Sequence, residues 1–142
     1  MTRVIGWEEK LFNFVDDTLG KPFEWGVRDC TVYALETQDI IYKTEFAVQA
    51  RGKFNDKKSA LAFQGKRGDL EAGLRGEGYV DIKKNFWQPG DVILVESGGF
   101  ITGHVCLGDK GVSVIEGQGV ILFKMVDLPG EYITLRAPLG VE

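Results

Sequence analysis

The strongest constraint in this sequence is a change of hydrophobic period past its midpoint. Up to about residue 75, apolar side chains recur at helical spacing, as in WEEKLFNFVDDTL at 7–19 with Trp7, Leu11, Phe14 and Val15 on one side. After Gly76 and Gly78 the spacing becomes two, in DVILVE (91–96), FITGHVCLG (100–108), GVSVIEG (111–117), GVILFKMV (119–126) and EYITLRAP (131–138). A stripe of period 3.6 cannot bury its apolar side as a strand, so the two halves must fold differently. Helices followed by a run of strands is the α+β pattern, with the N-terminal helices packed on one face of a four- to six-stranded antiparallel sheet. With 142 residues and 44% hydrophobic side chains, the chain has material for one core, so residues 1–142 read as a single domain.

Punctuation refines the helices. The first carries Glu8 and Glu9 in its opening turn and stops at Gly20. GKPFEWG (20–26) has loop grammar but two large aromatics, Phe23 and Trp25, which implies that it packs over something. Asp29 stands where an N-cap belongs, followed by CTVYALETQDIIYK (30–43) with Val32, Leu35 and Ile40 as its apolar side, so Cys30 falls in the first turn. Between 55 and 75, Asn55 and Asp69 are candidate caps for two short helices, with Leu61, Leu70 and Leu74 as apolar points and Gly65 and Gly68 as breaks.

Composition removes several function classes. Seventeen Lys and Arg against 21 Asp and Glu give a net charge of −4, which argues against nucleic acid or an anionic membrane as partner. Apolar runs such as 92–95 and 120–123 fall far short of the roughly 20 residues that span a bilayer. The opening MTRVIGWEEK has no apolar h-region, so the expectation is synthesis in a cytoplasm without a signal peptide. One histidine and two cysteines exclude most zinc patterns, and no calcium, phosphate or dinucleotide loop is present, so neither metal nor cofactor is expected. In that setting Cys30 and Cys106 are expected as free thiols.

The chemistry left concentrates in Cys30 and His104. A thiol at a helix N-terminus has its thiolate favoured by unpaired N–H groups and the helix dipole. An imidazole held on a strand is a suitable base if the sheet packs on that helix. Glu116, expected opposite or near His104 across the hairpin, is the candidate orienting group, and Gln118 is its alternative. Cys106 shares a strand face with His104 by alternation and reads as a buried small hydrophobe. Gly26 and Gly103 relax the backbone beside the two reactive groups.

These residues carry a resemblance. PFEWGVRDCTVY resembles the nucleophile segment of NlpC-type, papain-like cysteine peptidases, QPGDVILV (88–95) is similar to a strand of that family, and TGHVCLGDKGVSVIEG (102–117) is similar to its segment opening on the catalytic His. The likeness spans about residues 7–117. It implies a papain-like NlpC-type fold with Cys30, His104 and Glu116 as the catalytic set and Asp29, Trp25, Phe23 and Gln118 as substrate-binding residues. Three positions depart from the family: Phe23 stands for its oxyanion-holding Tyr, Thr31 for the Ser after the nucleophile, and Glu116 for its commoner third residues.

The short form resembles versions encoded in tailed-phage tail modules. That implies a virion enzyme at the tail tip, made in the host cytoplasm and acting at the periplasm or cell wall. Its substrate would be the peptidoglycan stem peptide, cut between γ-D-glutamate and diaminopimelate during genome delivery, with tail-tip or hub proteins as partners. Two alternatives stand beside it: a catalytically weak or inert tail-tip assembly module with the same fold, to which the departures point, and a CHAP-type amidase.

Overall fold

Local capping chemistry sets the helices. The computed structural model describes residues 1–63, 70–97, 100–128 and 131–139. Gly6, left-handed at φ 74°, turns the chain into α1 (Trp7–Thr18), which buries Leu11 and Val15. The loop after it reaches α2 (Cys30–Tyr42), capped by Asp29, whose side chain accepts from Val32 N. Left-handed Lys43 (φ 55°) ends α2 and a 3-10 turn follows at Ala47–Gln49. Two short helices, α3 (Lys57–Phe63) and α4 (Leu70–Gly76), complete the helical half.

Six strands follow: β1 (Val80–Ile82), β2 (Val92–Ser97), β3 (Phe100–Cys106), β4 (Lys110–Ile115), β5 (Gly119–Lys124) and β6 (Tyr132–Arg136). They form one sheet in the order β1-β6-β2-β3-β4-β5, each pairing antiparallel. The α+β architecture with helices on a six-stranded antiparallel sheet is therefore present. Tyr132–Arg136 returns to the middle of the sheet, between β1 and β2, and holds the hairpin of β2 and β3 against the edge strand.

The N-terminal helices pack on one face of the sheet, as expected, and the opposite face is apolar as well. On one face Val92, Leu94, Val105, Val112, Val114 and Leu135 meet Leu11, Val15, Tyr33, Ala34 and Ile41 of the helices. On the other, Ile93, Val95, Cys106 and Met125 form a second cluster under Trp87, Phe123, Leu128 and Tyr132. Among the described residues none of α1 to α4 joins that second cluster; the 3-10 turn Met125–Asp127 and connecting segments do, which helical periodicity could not forecast.

Three finer expectations also change. α2 is buried nearly all round, with Thr37 and Gln38 inside, while Leu35 and Ile40 are only half-buried. Gln38 is tolerated there because its amide donates to Gly90 O (3.1 Å) and its oxygen accepts from Tyr79 OH (2.8 Å). The cap of α3 is Asp56, which accepts from Ser59 N at 2.7 Å, not Asn55. Leu61 is 39% exposed and Ala60 takes the buried place, whereas Leu70 and Leu74 are buried as expected. Asp69, Gly65 and Gly68 lie outside the described residues. Asp91, 1% exposed, enters β2 in a two-pronged bond with Arg136, at 2.8 Å to Nε and 2.8 Å to Nη2.

Candidate functional site

The segment before α2 is built around the Asp29 carboxylate. Its Oδ1 accepts from Val32 N at 2.9 Å and its Oδ2 from Gly26 N at 2.7 Å, so one buried side chain both caps the helix and folds the preceding loop back. Burial raises the Asp29 pKa above the usual carboxylate range, and the main-chain bonds from Val32 and Gly26 oppose that rise. Gly26 sits at φ 77°, where an added Cβ would overlap the carbonyl oxygen of Phe54. The positive φ is the backbone freedom expected of this glycine, and the close approach adds a packing role.

Cys30 opens α2 as expected, but its environment is dry. It is 4% exposed, in a small cluster with Val32, Ala50, Phe54 and Ala60, walled by Trp25 and Leu35. Burial pushes its thiol up to about 11, and the Asp29 charge adds to that rise, while main-chain bonding from Gly103 works against both. The expectation of a thiolate favoured by the helix N-terminus is thus reversed, because desolvation outweighs the first-turn N–H groups.

Trp25, Phe23 and Glu116 do come together beside it. The indole Nε1 of Trp25 donates to Glu116 Oε2 at 3.1 Å, and the rings of Phe23 and Trp25 meet edge to face at 4.7 Å. Glu116 is thereby tied to the loop before α2, and this corrects its placement near His104. The pairs Val105↔Val112 and Cys106↔Gly111 set Ser113, not Glu116, level with His104. Gln118 is exposed in the turn after β4, where its main-chain N–H bonds Ile115 O at 2.9 Å.

His104 is not brought to Cys30. Gly103 is the β3 residue that faces α2: a Cβ there would stand 3.1 Å from Cys30 O, 3.4 Å from Ala34 Cβ and 2.9 Å from Leu70 Cδ2. By alternation His104 projects from the opposite face, where its ring meets that of Phe123 edge to face at 5.3 Å. The Thr102 hydroxyl donates its single proton to Val95 O at 3.2 Å, so it accepts from His104 Nε2, also at 3.2 Å. Nδ1 is then the unprotonated nitrogen, and it is buried without a hydrogen-bond partner among the described residues. Burial alone lowers the pKa of this ring to about 4. Cys106 shares the face of His104 and is a free, buried thiol, as Cys30 is on the other side.

Sequence reasoning missed residues 50–61, whose Ala50, Phe54 and Ala60 cover the Cys30 thiol. No periodicity marks them. The close approach at Gly103 did have a sequence signal, a glycine in the middle of a strand. A hollow of about 450 Å³ lies elsewhere, against Glu71, Glu96 and Glu131 and the apolar floor of Leu94 and Ile133. Among the described residues no group of three or more His, Cys, Asp or Glu is placed to hold a metal, and no helix is long and apolar enough to cross a membrane.

Fold and site together define an α+β domain in which an Asp-capped, cysteine-led helix is pressed against an antiparallel sheet. The chain belongs to the DUF6950 family, described as a domain of unknown function, whose family model matches residues 2–129. No curated protein matches the chain.

Proposed function

We propose that this chain is a papain-like module that does not hydrolyse peptide bonds, and that it serves as a structural or assembly component of a phage tail tip. The resemblance of the WGVRDC and GHV segments to NlpC-type peptidases supplies the setting. One observation carries the departure from catalysis: the β3 residue facing Cys30 is Gly103, which has no side chain, and the imidazole of His104 lies on the other side of the sheet. Without the imidazole beside it the thiol stays protonated, since at about 11 its pKa leaves roughly one part in ten thousand as thiolate at pH 7. Thiol nucleophiles act as thiolates, so an acyl transfer at Cys30 would lack its first step.

The hydrolytic reading keeps the support of Cys30 behind its Asp29 cap, with Trp25, Phe23 and Glu116 gathered beside it. One experiment separates the two. Purified peptidoglycan and a γ-D-glutamyl-diaminopimelate stem peptide are incubated with the protein and with Cys30→Ala, and products are read by mass spectrometry. The expected result is no release above the Cys30→Ala background. Cys30-dependent cleavage would restore the peptidase.

A further inference from the structure

The cover over Cys30 differs in construction from the rest of the fold. Its base is pinned to α2 by Asp39, which accepts from Thr44 Oγ1 (2.6 Å), Phe46 N (2.7 Å) and Ala47 N (3.0 Å). Beyond that base, residues 50–61 run across the loop before α2. Gly52 N donates to Gly26 O at 2.8 Å, and Phe54, 6% exposed, is the one large apolar side chain that the segment buries in the Cys30 cluster. Ala50 and Ala60 fill the rest. Each buries little area, and the seven-residue α3 is too short to hold itself together. The ion pair of Arg51 with Glu36 is long, at 3.5 Å, and about half exposed on the arginine side, so it adds little.

The main core beneath this cover is separate. The cluster of Cys30, Val32, Ala50, Phe54 and Ala60 is distinct from the cluster that joins α1, α2 and the sheet, and Leu35 is packed against both. Segments with few buried apolar contacts and few main-chain ties are those that open locally, well before the whole molecule unfolds.

From this construction we propose that residues 50–61 are a self-made strap that closes the Cys30 niche and lifts from it as a unit while α1, α2 and the sheet stay folded. While the strap is down, Ala50, Phe54 and Ala60 cover Cys30 and Val32 in the first turn of α2. Lifting it withdraws Ala50, Phe54 and Ala60 from the Cys30 cluster, parts the Gly52–Gly26 main-chain bond and the Arg51–Glu36 ion pair, and leaves the Asp29 cap intact. The inference deepens the non-hydrolytic reading of Cys30, and it is measured without any hydrolysis assay.

Two measurements on the full chain test it. In the unmodified protein, Cys30 alkylation by iodoacetamide and hydrogen exchange at Gly52 N–H are followed across urea concentrations well below the unfolding midpoint. The expected result is that both are insensitive to urea there, and that Gly52 N–H exchanges at least about tenfold faster than the β3 amide of Cys106. In the variant Phe54→Ala, Cys30 labelling rises by about tenfold or more and Cys106 labelling does not change. The proposal is overturned if labelling of Cys30 and Cys106 climbs together with urea along the global unfolding slope, or if Phe54→Ala speeds both equally. A Phe54→Ala protein too unstable to study leaves the urea series on the unmodified protein to decide. Hydrolysis by the protein would sink the proposed function and leave the strap standing; coupled labelling would do the reverse.

Discussion

Acid should unfold this protein through His104. The ring is partly buried between Phe123 and Thr102, and its pKa falls from the usual 6.5 to about 4 because burial penalises the cation. Between those two values the unfolded chain binds a proton that the folded chain refuses, so stability rises with pH and is lost as pH drops from about 6.5 toward 4. At about 1.4 kcal/mol per tenfold, the loss between pH 7 and pH 4 is on the order of 3 kcal/mol, a large share of a small domain's stability. Carboxylates also protonate over part of this range, so the imidazole must be isolated. His104 is the chain's sole histidine, and His104→Leu removes its titration while keeping the apolar volume. Urea unfolding followed by tryptophan fluorescence at pH 7 and pH 4 gives four stabilities. The parent should lose about 3 kcal/mol more than the variant on acidification, and at pH 7 the variant should equal or exceed the parent by about 1 kcal/mol, because an orphaned nitrogen acceptor is gone. Equal acid losses in both proteins would refute the reasoning, and would mean that the ring finds water or a partner when charged.

Two further outcomes follow from other buried contacts. Arg136→Leu strips the Asp91 carboxylate of its two-pronged partner and leaves it buried against Gln88 N–H among the described residues, which should cost about 3–5 kcal/mol by urea denaturation. Gly26→Ala places a methyl against the Phe54 carbonyl at a backbone angle that L residues rarely adopt, and a loss of about 2 kcal/mol or more is expected in the same assay.

Much of the architecture was legible because its causes are local. Asp29 before CTVYALETQ announces a capped helix, Glu8, Glu9 and Gly20 bracket another, and period-two runs between Gly and Pro mark five of the six strands. β1 (Val80–Ile82) escaped because three residues are too few to show alternation. The Asp91–Arg136 fork and the Gln38–Tyr79 bond escaped because nothing local links residues 45 and 41 positions apart. The gathering of Trp25, Phe23 and Glu116 near Cys30 was partly legible, since loop aromatics need cover. The facing of His104 was not. Alternation in TGHVC states that Gly103 and His104 point to opposite sides, but it is unchanged when both sides are exchanged, and only the packed sheet decides which one meets α2.

That decision is firmly held. Turning the imidazole toward Cys30 needs a one-residue slip of β3, and the slip would carry Val105, 1% exposed, off the helix-facing core, costing roughly 2 kcal/mol for that side chain alone. It would also break six paired positions with β2, from Val92↔Val105 to Ser97↔Phe100. The incoming ring would then have to stand where even a single Cβ lies within 3.1 Å of Cys30 O and 2.9 Å of a Leu70 methyl. A rotamer change cannot supply that room, since the tight contact is with the backbone of α2. A thiol–imidazole pair would require α2 to withdraw from β3 and expose Ala34 and Tyr33, the residues that seat the helix on the sheet. The same close approach that packs this core therefore keeps the His104 imidazole away from Cys30.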